Sequence, residues 1–184
     1  LKSTGHEEIS LSSLSSSDYR SLEELVTFLI DTFHGKGVNV SLPSLRIDAF
    51  SLDVMSKVQD VKKSSLTFAP EAGSQRLRNV INKGLTEEDI LNGSALAFQG
   101  GWNNVKLYFM MGLPTETYED LDGISDICKK VAYCWRENTP NRARGVRITA
   151  SASCFVPKPQ TPFQWDAQDT LETFREKQAH LKVV

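Results

Sequence analysis

Val105-Lys106-Leu107-Tyr108-Phe109-Met110-Met111 runs directly into Gly112-Leu113-Pro114-Thr115-Glu116-Thr117. The first seven residues are short as a run, strongly apolar, and closed by Gly112 and Pro114. They read as a strand fit for burial on both faces, which is the habit of a parallel sheet. Thr117 then opens a helix to near Trp135. Leu121, Ile124, Ile127, Cys128 and Val131 recur on one side of it at helical spacing. Strand, glycine turn and amphipathic helix in that order form the unit of an α/β fold.

The same unit repeats on either side. Downstream, Gly145 to Ser153 reads as another strand, followed by a proline-rich loop from Val156 to Trp165. Asp169 is placed to cap a last helix ending near Leu181. Upstream, Thr86-Glu87-Glu88-Asp89 has the form of a capping box for a helix to near Phe98, broken by Gly100-Gly101. Gly73 to Asn82 reads as a helix turning Leu77, Val80 and Ile81 inward, with Gly84 ending it. Ser65 to Ala69 is a strand halted by Pro70, and Ser51 to Asp60 a short helix. Val38 to Leu42 is a strand halted by Pro43. Asp18 caps a helix with Leu22, Leu25, Val26, Leu29 and Ile30 on one face, ended at Gly35 and Gly37. Glu8 to Ser12 alternates polar and apolar and makes the first strand. Strands thus recur at intervals of roughly 30 to 40 residues with helices between, the pattern of βαβ units and a parallel sheet. A complete eightfold barrel takes about 250 residues. Five strands therefore leave two architectures open, an open doubly wound sheet or part of a barrel. No linker or change of composition divides the chain, so residues 1–184 are expected to form one domain.

Composition narrows the function. The 184 residues are 40% hydrophobic and 24% charged, enough for a real core. Lys and Arg number 21 against 23 Asp and Glu, a net charge of -2 that argues against binding nucleic acid chiefly through phosphate neutralisation. The longest apolar run, Leu107 to Leu113, is too short to span a membrane. Cys128, Cys134 and Cys154 are odd in number and lack CxxC spacing, which points to neither a disulfide framework nor a zinc site, and to a reducing, cytoplasmic setting. The chain opens at Leu1 and enters a strand almost at once, so we expect a piece of something longer.

In parallel α/β folds ligands sit beyond the carboxyl ends of the strands. Those ends read Ser12-Ser13-Leu14-Ser15, Ser41-Leu42-Pro43-Ser44, Ala69-Pro70-Glu71-Ala72-Gly73-Ser74, Gly112-Leu113-Pro114-Thr115 and Ser151-Ala152-Ser153-Cys154-Phe155. Any one serine is commonly a loop former or cap, and Glu71 could simply balance the dipole of the helix it precedes. Five ends that are small, polar or backbone-exposing together form a floor on which a flat ligand can lie close to main chain.

Phe68-Ala69-Pro70-Glu71-Ala72-Gly73-Ser74, then Asn82-Lys83-Gly84-Leu85-Thr86-Glu87-Glu88-Asp89-Ile90, resembles the fourth-strand segment of radical S-adenosylmethionine (SAM) enzymes. The similar branch holds the tRNA methylthiotransferases and oxygen-independent coproporphyrinogen oxidases. Met111-Gly112-Leu113-Pro114-Thr115-Glu116-Thr117 looks like their run after the fifth strand. Phe155-Val156-Pro157-Lys158-Pro159-Gln160-Thr161-Pro162-Phe163-Gln164-Trp165 resembles the sixth-strand exit of cobalamin-associated members. The resemblance implies a partial (βα) barrel whose parallel strands correspond to strands two to six of a radical SAM core. It implies SAM as cofactor and small-molecule partner, and a [4Fe–4S] cluster in the full-length parent only, because the family's CxxxCxxC loop does not occur in this sequence. The three cysteines are then expected to be buried apolar residues. By the resemblance, Ser12 and Ser13 hold the SAM amino group, and Glu71, with Ser74 beside it, the ribose or methionine portion. Lys83, twelve residues after Glu71, would pair with the SAM carboxylate, although it reads equally as a solvated lysine at a helix end. Gly112, Ser153 and Phe155 would line the adenine site. The implied chemistry is reductive cleavage of SAM to a 5′-deoxyadenosyl radical shielded by the barrel, with the isolated chain inactive. The substrate is not readable, and no residue is singled out as catalytic. A non-catalytic partner- or nucleotide-binding module that lost the cluster is the alternative. A barrel without its first strand also leaves the edge of Glu8 to Ser12 unpaired, so self-association is expected there.

Overall fold

A parallel strand pair cannot close through a tight turn and needs a crossover, and here each crossover is a helix. The computed structural model describes residues 3–10, 19–33, 35–36, 38–41 and 66–183. Strand β1 (Glu8–Ser10) runs parallel to β2 (Asn39–Ser41), with Ile9 opposite Val40, and helix α1 (Leu22–Phe33) connects them. Helix α1 buries Val26 and Ile30, two members of the expected apolar face. The expected helix from Ser51 to Asp60 lies outside the described residues.

The second sheet positions the candidate site. Strands β3 (Leu66–Glu71), β4 (Asn104–Met111) and β5 (Arg147–Cys154) are all parallel and lie in the order β3-β4-β5. Helices α2 (Gln75–Val80) and α3 (Glu87–Gln99) lead from β3 to β4. Helix α4 (Tyr118–Asn138) and a short 3₁₀ turn (Arg142–Arg144) lead from β4 to β5, and α5 (Leu171–Leu181) follows. Leu66, Phe68, Val105, Leu107, Phe109 and Met111 from the strands pack with Ile90, Phe98, Leu121, Ile127, Val131 and Phe174 from the helices in one core. A doubly wound sheet reverses its strand order and carries helices on both faces. Among the described residues sheet order follows chain order, and the helices share one face. That winding is a partial (βα) barrel, and it decides between the two architectures the sequence left open.

The structure corrects several local expectations. Strand β4 is not buried on both faces. Val105, Leu107, Phe109 and Met111 are buried, whereas Asn104, Lys106, Tyr108 and Met110 are not. A strand of a barrel wall packs helices on its outer side only, and its apolar run is half as wide as a doubly covered strand needs. Pro70 does not halt β3 but lies within it, at a register shift between Phe68 and Glu71. A residue without an N–H fits where the ladder is already interrupted. Asp169 does not cap α5; Thr170 does, accepting from the Thr173 amide. Cys154 is exposed, and Cys128 and Cys134 are half-buried, so none is fully a core residue.

Helix α2 is also shorter than expected, and Val80 is exposed while Arg78 is buried. Arg78 is 1% exposed and donates to three carbonyls: Leu85 at 3.1 Å, Ala72 at 3.0 Å and Gly73 at 3.1 Å. Its fork therefore ties the exit of β3 to the approach of α3. Burial pushes its pKa down, an effect partly offset by Glu87. Lysine presents a point charge in place of a fork and cannot satisfy three separated carbonyls. Arg78→Lys is expected to lower stability by about 2 kcal/mol, read as the urea midpoint at constant slope, because buried acceptors lose their donors. An unchanged midpoint would show that the carbonyls find other partners.

Candidate functional site

The register of β3, β4 and β5 brings their carboxyl ends side by side, and their exit residues meet. Ala72, Leu113 and Phe155 join Leu77 in a small buried cluster, with Ile81, Met110 and Phe163 at its margin. Phe155 is buried within it. Its amide donates to the Met111 carbonyl at 2.8 Å, and its carbonyl accepts from the Gln168 side chain at 3.2 Å. Phe155 therefore forms part of a fixed apolar floor at the strand ends.

Glu71 closes β3 with a left-handed backbone, φ 68°, uncommon for a residue other than glycine. Asn82, φ 52°, turns the chain after α2 and returns Lys83 toward the same exit. The Lys83 ammonium reaches the Glu71 carboxylate at 3.4 Å, with both side chains partly exposed. The twelve-residue spacing noted in the sequence thus becomes one ion pair at the rim. Exposed pairs of this kind contribute little to stability, and both charges stay accessible.

Ser74 is the N-cap of α2. Its hydroxyl accepts from the Leu77 amide at 3.0 Å and donates to Asp120. Asp120, to which the sequence reading gave no role, is the electrostatic centre of this end of the sheet. It is 3% exposed and accepts from Ser74, Arg76 and both the amide (2.8 Å) and hydroxyl (3.0 Å) of Thr117. Burial would raise its pKa, but the bonds from Arg76, Ser74 and Thr117 outweigh that and bring it down to about 2. The legible signal was Thr117-x-x-Asp120, a capping box at the start of α4. Arg76 also donates to the Thr115 carbonyl at 2.8 Å, tying α2 to the loop after β4.

Gly112, φ 79°, follows β4, and its amide donates to the Glu116 carboxylate at 2.8 Å. A Cβ there would lie 2.6 Å from the Phe174 ring and 2.9 Å from an Asp169 carboxylate oxygen. The need for glycine comes both from this left-handed backbone and from Phe174 and Asp169 pressing on the turn. Lys177 bridges Glu116 at 2.8 Å and Asp169 at 2.6 Å. Burial would lower the Lys177 pKa, but the bonds to Asp169 and Glu116 raise it overall. Ser153 lies at the end of β5, its hydroxyl 3.4 Å from the Phe109 carbonyl and its side chain otherwise exposed. Ser12 and Ser13 lie outside the described residues. The structure thus brings Glu71 and Lys83 together, sets Ser74 and Gly112 in contacts within the protein, and puts Phe155 in the floor.

The residues fit the two implied groups unequally. Lys83 offers a cation suited to the carboxylate of an amino-acid moiety, and Glu71 an acceptor for neighbouring polar groups. No group of three His, Cys, Asp or Glu capable of holding a metal exists among the described residues. Burial raises the pKa of the Cys128 and Cys134 thiols, opposite to what a thiolate ligand needs, and Cys154 stands apart at the end of β5. These cysteines do not fit an iron–sulfur cluster.

The winding and the strand-end site define a class, and sequence comparison gives it a family. The model of the radical SAM superfamily matches residues 1–128, and the chain belongs to that superfamily. It is 40% identical over 162 residues, 88% of its length, to the uncharacterized protein MJ0966 of Methanocaldococcus jannaschii. The matched region is 33% of that relative, so the chain spans about a third of its length. Members of the superfamily use SAM and a [4Fe–4S] cluster and are enzymes. No described helix is long and apolar enough to cross a membrane.

Proposed function

We propose that residues 1–184 are most of a radical SAM core barrel, strands two to six, acting within a longer protein in a reducing, cytoplasmic setting. The observation that carries the reading is the Glu71–Lys83 pair at the carboxyl end of a singly wound parallel sheet. In this reading Lys83 turns from Glu71 to the SAM carboxylate, and Glu71 takes the polar ribose or methionine groups. Ser12 and Ser13 hold the amino group. The Phe155 floor, Gly112 and Ser153 lie against adenine, and Ser74 keeps α2 in place beneath. Bound SAM would supply a 5′-deoxyadenosyl radical on reductive cleavage, and the chain's own part is to orient the cofactor and keep water from the strand ends. The chain alone is inactive in this reading, since it lacks CxxxCxxC. The edge of β1 that has no partner strand among the described residues favours self-association.

Calorimetric titration of the chain with SAM tests the reading. Binding is expected to be weak and to fall about tenfold or more in Lys83→Met and in Glu71→Ala, since a charge-assisted bond contributes roughly 1.5 to 3 kcal/mol. Equal binding by wild type and both variants would remove the pair from the site.

A further inference from the structure

The face of the β3-β4-β5 sheet turned away from the helices has an ordered chemistry of its own. Pairing sets Thr67 beside Lys106 and Lys106 beside Thr149, so hydroxyl, ammonium and hydroxyl lie in one row across three strands. The next row sets Tyr108 beside Ser151, and the next Met110 beside Ser153. Neighbouring strands lie about 4.8 Å apart, so Thr67 and Thr149 each lie one strand spacing from the central Lys106. The Lys106 ammonium lies 4.6 Å from the centre of the Tyr108 ring. That contact holds the cation in place. Lys106 is only partly exposed, although no described helix covers this face. Among the described residues it has no carboxylate partner, and the nearest acid in the ladder is Glu71, opposite Phe109. The opposite positions of β4 are all in the core, so the alternation that buries Leu107 obliges Lys106 to face the other way.

We infer that this face holds the oxyanion of a small-molecule substrate, a carboxylate or phosphate, on Lys106 with Thr67 and Thr149 beside it. A positioned ammonium flanked by hydroxyls is a charge-assisted donor set for such a group. Lys106 stands three residues before Phe109, the β4 partner of Glu71, about 10 Å down the strand at 3.3 Å per residue, and so lies below the Glu71–Lys83 rim. The inference rests on the proposed function, because it names the substrate class for the barrel whose rim takes SAM.

The test is a backbone amide NMR titration of the full chain at constant ionic strength, with acetate in one arm and inorganic phosphate in the other. Saturable shifts are expected at Lys106, Tyr108 and Thr149. The arm that binds more tightly identifies the anion. Lys106→Met is expected to weaken binding at least tenfold and Lys106→Arg to retain it. Protection of Lys106 from amine acylation by the anion, read by mass spectrometry on wild type, decides the point if Lys106→Met does not fold. Shifts that never saturate, equal binding by Lys106→Met, or no protection mean an adventitious anion only and overturn the inference. SAM titration separates the two readings. SAM binding without an anion site sinks the inference alone, and an anion site without SAM binding sinks the proposed function.

Discussion

Gly73→Ala is expected to lose about 3 kcal/mol or more of stability, the upper range for overpacking, and to melt well below wild type. A Cβ at Gly73 would run into the Asp120 carbonyl oxygen and the Ile124 amide nitrogen and lie 2.7 Å from the carbonyl carbon of Gly123. All three are backbone atoms of α4, so no rotamer change makes room. Either α4 must lift from the exit of β3, uncovering Leu121 and Ile124, or the loop must move and pull Arg78 from its carbonyls. Gly123→Ala approaches the same contact from the other side, with its Cβ 2.8 Å from the carbonyl carbon of Gly73. The double variant should therefore cost less than the sum of the two, because one displacement relieves both clashes. Thermal denaturation followed by circular dichroism measures this. A Gly73→Ala protein melting with wild type would show that the two backbones are not held in contact.

The second large effect belongs to Asp120. Asp120→Ala is expected to cost about 2 to 3 kcal/mol at neutral pH, since it leaves the Ser74 hydroxyl and two Thr117 donors without their acceptor, while the half-exposed Arg76 turns to water. The pH dependence has a definite sign. The carboxyl pKa is about 2 in the folded protein against an ordinary value of 3.8, so the unfolded chain takes up the proton first as pH falls. The contribution of Asp120 is complete above about pH 4 and is lost as pH falls toward about 2. Urea midpoints of wild type should drop across that window, and those of Asp120→Asn should drop less. Parallel midpoints for the two proteins would show that the Asp120 carboxylate is not selectively stabilised by folding.

Much of this fold is written locally. The capping boxes at Thr86 and Thr117 start α3 and α4 where the sequence places them, because a cap needs only residues three apart. Leu121, Ile124, Ile127 and Val131 face the core, as their helical spacing requires. The strand–helix alternation and the parallel sheet follow from the same short-range patterns. The Glu71–Lys83 pair was legible only through the family resemblance, since nothing in a twelve-residue separation by itself brings two charges together.

What lay beyond the sequence depends on which surfaces meet. Leu107 and Tyr108 are neighbours in one apolar run, and only the placing of α3 and α4 on a single side of the sheet buries the first and leaves the second on the open face. Arg78 reads as a surface residue until the β3 exit and Leu85 surround it with carbonyls. Gly73 reads as the first residue of a helix until α4 passes over it, and Gly112 as part of a turn until Phe174 presses on it. The sequence by itself determined the elements and their order, because helix caps, turns and periodicity act over a few residues. Only the tertiary structure decided the winding, the open polar face and the close glycine contact, because each depends on residues far apart in the chain arriving at the same place.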